Sequence, residues 1–189
     1  MRDAPFAEVI AAARGGDERA ITTLFEVTQP RLLRFLRSQE PRLADDLASE
    51  VWISVARGIH GFDGDEDGFR AWVFTIARRR IVDARRSALR RPLQAVHVDS
   101  NGDGHPASST ESTERIALDA LSGQQAVDLV SELLEPDQAE VVLLRVLADL
   151  DCAQVAAIMG RTENWVRVTQ HRALKRLSER VGSRLGVTL

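Results

Sequence analysis

Residues 151–170 read DCAQVAAIMGRTENWVRVTQ. Asp151 is placed to cap a short helix holding Val155, Ala156, Ile158 and Met159. Gly160 ends it, and Thr162 caps a second helix running through Val166, Ala173, Leu174 and Leu177. A small Ala156 lets two helices cross closely. Gly160, four residues on, supplies the tight turn, and Val166, six further, plugs the second helix into the core. This is helix-turn-helix texture. In such a unit the second helix lies in the major groove with its first residues at base edges. Arg161, Thr162, Glu163, Asn164 and Arg167 lead that helix; arginine suits guanine and asparagine suits adenine. His171, Arg172, Lys175 and Arg176 follow and suit phosphates. The same spacing also fits a plain helical hairpin in which Gly160 is only a cap.

Upstream, Pro136 fits the first turn of a strongly apolar helix with Val141, Val142, Leu144, Leu147 and Leu150. Leu129, Leu133 and Leu134 end a shorter helix before it. Residues 99–114, DSNGDGHPASSTESTE, hold almost nothing apolar and cannot bury a face. The expected organisation is a helical domain over 1–91, a flexible acidic linker over 92–118 and a second helical domain over 119–189. The fold class is all-α, with two small helical domains and no convincing strand.

In the first domain Asp17 can cap a helix reaching about Arg37, which Pro30 should kink or break. A second helix follows Pro41. Leu43, Leu47, Val51 and Val55 line one of its stripes, while Asp46 and Glu50 share a neighbouring stripe that points outward. A third begins near Phe69 and should stop before Pro92. Phe69, Trp72, Val73, Ile76 and Ala77 form its apolar face, ahead of Arg78, Arg79, Arg80, Arg85 and Arg86.

The chain has 189 residues, 25 basic against 28 acidic, and a net charge of −3. Averaged, that argues against a nucleic-acid partner, but the charge is segregated. Residues 40–67 carry eight acids and two arginines, residues 70–91 eight arginines and one acid, and residues 161–184 seven bases and two acids. A partner within a Debye length, ~8 Å at physiological salt, meets the local field. Arginines interleaved with Trp72 and Phe74 suit single-stranded or distorted DNA, where bases stack while phosphates are neutralised; Trp72 fits a core position as well. The acidic stripe fits a basic protein surface or a solvated face. No apolar run reaches 18 residues, so no membrane span is expected. One cysteine excludes a disulfide framework and a multi-cysteine zinc site. Cys152 sits beside a helix cap and reads as packed, not nucleophilic. No catalytic cluster, metal site or cofactor is expected. The absence of a signal peptide points to the cytoplasm.

Two blocks carry a family resemblance. ADDLASEVWISVAR at 44–57 and FRAWVFTIARRRIVDARR at 69–86 resemble region 2 of a bacterial sigma-70 family sigma factor of the extracytoplasmic-function group. LEPDQAEVVLLRVLADLDCAQVAAIMG followed by HRALKRL resembles region 4. The resemblance implies a factor that binds core RNA polymerase and directs promoter-specific initiation, not an enzyme. It implies contact with the clamp helices of the largest catalytic subunit through Asp46, Glu50, Val51 and Trp52, and with the flap of the second subunit. It implies −10 element recognition and melting through Phe62, Asp63, Trp72, Arg78, Arg79, Arg80 and Arg85. The −35 duplex would be read by Arg161, Thr162, Glu163, Asn164, Arg167, His171, Arg172 and Lys175. The remaining implied partners are promoter DNA and an anti-sigma factor. One departure is Trp165, where the family usually has a small hydroxyl residue. A helix-turn-helix repressor or activator that is not a polymerase subunit is the alternative from another class. A helical adaptor that binds no DNA is a further one.

Overall fold

The N-terminal stretch FAEVIAAAR spaces Phe6, Val9, Ile10 and Ala13 three or four apart. In the computed structural model, which describes residues 5–90 and 112–185, it forms α1 (Phe6–Arg14), with Val9, Ile10 and Ala13 buried. This helix was not expected from the sequence. α2 (Glu18–Gln39) starts where foreseen: the Asp17 carboxylate accepts from the N–H groups of Arg19 and Ala20 at 2.8 and 3.0 Å. Pro30 does not end it. The helix runs through the proline because Leu24 and Thr28 before it, and Leu32, Phe35 and Leu36 after it, are all buried on one face. That packing outweighs one missing N–H.

α3 (Ala44–Gly58) buries Ala44, Leu47, Ala48, Val51 and Val55, a stripe at helical spacing. Leu43 was expected on that stripe. It lies at the helix N-cap instead and is exposed. A 3-10 turn (Ile59–Gly61) leads to α4 (Glu66–Arg90), which starts three residues earlier than expected and buries Phe69, Val73, Phe74, Ala77 and Ile81. α2, α3 and α4 pack on one another, with α1 against α2. The Phe35 and Phe74 rings meet edge to face at 5.4 Å in the middle of this unit.

The second unit comprises α5 (Ser112–Leu133), α6 (Pro136–Leu147), α7 (Cys152–Met159) and α8 (Glu163–Leu185). α5 takes up residues 112–118, which the sequence placed in the linker; residues 92–111 lie outside the described residues. α6 is buried nearly all round, from Ala139 through Leu144 and at Leu147. It is covered twice, by α8 and α7 of its own unit and by α2 of the first. α5 also lies on α2, and α7 on α4. One apolar cluster therefore runs from Val9 to Val166 across both units. Each fully buried aliphatic side chain in it contributes about 1.5–3 kcal/mol relative to exposure. Among the described residues there is no strand, and no helix is long and apolar enough to cross a membrane.

Candidate nucleic-acid interface

The Asp151 carboxylate accepts from the Gln154 N–H at 2.7 Å, and the Gln154 amide oxygen accepts from the Asp151 N–H at 2.9 Å. This reciprocal box fixes the start of α7. At its end Gly160 is left-handed, with φ 64° and ψ 38°, and the Arg161 N–H returns to the Ala156 carbonyl at 2.9 Å. Ala156 is buried beneath the crossing and Val166 is wholly buried. The Thr162 hydroxyl caps α8, accepting from the Trp165 N–H at 3.2 Å. The expected tight turn, close crossing and plug are all present, so Gly160 closes a helix-turn-helix and not a lone hairpin.

The expected contact residues then share one face. Glu163, Asn164, Arg167, His171, Arg172 and Lys175 recur at helical spacing on α8, and all are exposed. Val168 is exposed beside them, an apolar member of the face that the sequence reading passed over. Val166 and Ala173 anchor the opposite side. Arg161 and Thr162 precede the helix and are exposed too. Arg167 donates to Glu163 at 2.8 Å, and Lys175 lies 3.9 Å from Glu179. Arg176, outside this face, donates to Glu135 at 3.1 Å.

The arginines of α4 stand in a different setting. Arg70 is held by Glu66 at 2.6 Å and by Asp67, and lies 3.7 Å from Asp149 at the end of α6. Arg78 donates from Nε to Glu140 at 2.9 Å, across the junction of the two units. Arg80 donates to the Ser54 hydroxyl at 2.9 Å and lies 3.6 Å from Glu50. Arg85 donates to Glu40 and, at 3.1 Å, to the Gln39 carbonyl. Arg79 is exposed, with no carboxylate partner among the described residues. The acids at the start of α4 are explained by the same bonds. Asp65 accepts from the Gly68 N–H at 2.8 Å, while Glu66 and Asp67 hold Arg70. Asp63 is left exposed.

Phe62 and Trp72 stack on each other, with ring centroids 5.2 Å apart and planes at 21°. Phe69 meets both edge-on, and Phe6 from α1 closes the cluster. The indole of Trp72 also rests on Gly58: a Cβ there would lie 2.8 Å from the ring. Trp72 is therefore half in the core, and one of its faces is taken by Phe62. Phe74, offered by the sequence as a stacking ring, is buried.

On α3, Asp46 and Glu50 point outward as expected. Val51 does not. It is fully buried on the inward stripe with Leu47 and Val55, and no partner can touch it in this fold. Trp52 is half-buried, donating from its indole to the Gln29 side chain at 2.6 Å and packing against Phe25 at 5.0 Å. The sequence reading overlooked Ile53, which is 51% exposed; Phe25, which the three-and-four spacing places with the apolar positions of α2, is 41% exposed. Ile53 falls three residues after Glu50 on the outward stripe, and that spacing was the available signal. Among the described residues no group of acidic, His or Cys side chains could hold a metal. Cys152 is half-buried and packs against the apolar cluster.

A helix-turn-helix set behind a separate helical unit with its own arginine-rich helix defines a class of two-part, all-helical factors that carry a DNA-binding motif. Family models place the chain within it. Sigma-70 region 2 matches residues 24–91 and Sigma-70 region 4 matches residues 124–177, so the chain belongs to the sigma-70 family, in its extracytoplasmic-function group. The ECF RNA polymerase sigma factor SigD of Mycobacterium tuberculosis is 30% identical over 182 residues, covering 92% of this chain and 82% of that protein. ShbA of Streptomyces griseus, also an ECF RNA polymerase sigma factor, is 32% identical over 169 residues, covering 86% of this chain and 87% of its own. Among solved structures, CnrH in complex with the cytosolic domain of CnrY shares the fold, with TM-score 0.59 and 20% identity over 94% of this chain and 97% of that one. The protein is thus an alternative sigma factor that directs transcription.

Proposed function

We propose that three surfaces divide the task of initiation. The open face of α8 reads the −35 duplex, with Thr162, Glu163, Asn164 and Arg167 toward base edges and His171, Arg172 and Lys175 toward phosphates. Arg161 stands at its leading edge. The outward stripe of α3, Asp46 and Glu50 with the edge of Trp52, docks on the clamp helices of the largest polymerase subunit, and Ile53 supplies the apolar centre of that contact. The region 4 unit meets the flap of the second subunit. Phe62 and Asp63 wall the pocket for a flipped −10 base, Trp72 backs Phe62, and Arg78, Arg79, Arg80 and Arg85 guide the strand. Flipping costs a few kcal/mol of unstacking, which such a wall and backbone contacts offset. The observation that carries this reading is the α8 face itself: six polar residues exposed at helical spacing on a helix locked from behind by Val166 and Ala173.

The −10 arginines must change partners to serve DNA. Arg78 leaves Glu140 only if the two units separate, so binding to polymerase accompanies an opening of the α4–α6 junction. An anti-sigma factor would act by holding the factor away from that opened state. The protein works with polymerase in the cytoplasm. The test is run-off transcription with purified core polymerase on a promoter library. Initiation from a discrete promoter set supports the reading; folded protein that supports none sinks it. Single changes at Asn164 and Arg167 are expected to shift −35 preference while core affinity stays the same.

A further inference from the structure

Trp165, in the first turn of α8, is tied to Arg161. The Arg161 guanidinium carbon lies 5.1 Å from the centroid of the Trp165 ring, over its face. Trp165 is half-buried, with its indole packed against the apolar cluster, so the platform is fixed. Arg161 is fixed from its other end by its N–H bond to the Ala156 carbonyl at 2.9 Å. A cation–π contact engages the guanidinium charge without an acceptor atom, which leaves N–H donors for an oxygen. The nearest acid, Asp137, is 4.0 Å away, with both side chains more than half exposed. Arg167, by contrast, commits a fork nitrogen to Glu163 at 2.8 Å.

Position decides what the free fork meets. Thr162 is the cap, so Arg161 lies ahead of the helix that enters the groove. Residues on the helix reach base edges, and a residue ahead of the cap lies at the groove rim, beside the sugar-phosphate backbone. The first-turn N–H groups of α8 point the same way and favour an anion there. A planar fork pairs with two phosphate oxygens at once.

We propose that Trp165 is a positioning residue that holds Arg161 as a two-pronged clamp on a backbone phosphate of the −35 duplex. Arg161 then contributes affinity and register but not base choice, which separates it from Asn164 and Arg167. The inference rests on the proposed reading of α8.

The test uses the full chain in holoenzyme, a promoter duplex selected from a randomised library by the wild type, and the same duplex with its −35 element scrambled. Arg161→Ala is expected to weaken both duplexes by the same factor, about three- to tenfold, and to lower the salt slope of log affinity by about one. Trp165→Phe keeps a ring and is expected to stay near wild type. Trp165→Leu keeps apolar packing without a π face. It is expected to match Arg161→Ala in affinity loss, with the double variant no weaker than either single one. A role for Trp165 in packing alone would lower the melting temperature of Trp165→Leu and leave its affinity at wild-type level; that result overturns the proposal. So does a changed ratio between selected and scrambled duplex in Arg161→Ala, which would make Arg161 a base reader. If the wild type selects no sequence at all, the reading of α8 fails, and the inference falls with it.

Discussion

α4 and α8 are both basic helices, and in composition they look alike. Their charges differ in availability. On α4, Arg70, Arg78, Arg80 and Arg85 each face a carboxylate of the same molecule, drawn from the first turn of α4 itself, α6, α3 and the end of α2. On the outward face of α8 the pairs are local and exposed, only Arg176, off that face, reaches a distant acid, Glu135, and Arg172 has no carboxylate partner among the described residues. A run of arginines reports sign and density. Whether a cation is ready for a phosphate depends on what the fold has already placed against it. On the proposed reading the face of α8 meets duplex with only exposed local pairs to break, whereas Arg78 must first lose Glu140. On the proposed division of tasks, duplex reading by α8 needs less reorganisation than strand contact by α4.

The hardest way to break the comparison is to remove the floor under α4. Val51 lies between α3 and the rest of its unit, and a carboxylate there would be buried without a partner. Val51→Asp is expected to cost more than about 4 kcal/mol and to leave no cooperative thermal transition. A well-folded variant that had lost only polymerase binding would return Val51 to the interface. The direct contrast comes next. Arg78→Ala leaves Glu140 largely buried and unpaired, a loss of about 2–3 kcal/mol in urea unfolding. Arg172→Ala should change stability by no more than about 0.5 kcal/mol. It should weaken duplex binding about three- to tenfold at moderate salt. Equal stability for the two variants would mean that the Arg78–Glu140 pair does not hold the units together.

The turn sharpens the α8 side of the contrast. Gly160 has φ 64° and nothing within 4 Å of where a Cβ would sit. Gly160→Ala therefore meets backbone strain and no clash, about 1–2 kcal/mol, read as a lower melting temperature. Gly58→Ala is the counterpart beside α4, where the obstacle is the Trp72 ring and the backbone is relaxed. A large drop at Gly58 accompanied by a change in indole fluorescence, against a drop at Gly160 without one, would separate the two causes.

Local grammar explains which of these features the sequence disclosed. The helix-turn-helix was legible because Asp151, Ala156, Gly160, Thr162 and Val166 act within a few residues of one another. The inward stripe of α3 was legible too, and its periodicity placed Val51 correctly beside Leu47 and Val55; transfer of the family's contact position put it on the surface. α1 carried the same periodicity in FAEVIAAAR and was passed over. Pro30 does not break α2 because the local rule was set against burial on both sides of it. The partners of the arginines were not legible. Arg78 and Glu140 are 62 positions apart, and Arg85 and Glu40 are 45. One clue did exist: α6 is apolar on nearly every side, and a helix of that kind needs cover on more than one face. That requirement already implied that the two units touch.

The smallest expected effect tests whether the α8 face is truly open. Glu163 is the acid at its leading end, and it holds Arg167 in an exposed pair with side-chain exposures of 48% and 64%. Such pairs contribute only about 0.3–0.5 kcal/mol, so Glu163→Gln should leave the melting temperature almost unchanged. Its effect on binding should be larger than its effect on folding. The change removes a negative charge beside the phosphates and frees the Arg167 fork, so affinity for any duplex should rise about two- to fivefold, fading as salt is raised. If Glu163 instead accepts a hydrogen bond from a cytosine in the −35 element, affinity for the selected duplex falls while affinity for the scrambled one rises. The sign of the change on the selected duplex thus distinguishes a base reader from a restraint on Arg167, in a variant whose fold is undisturbed.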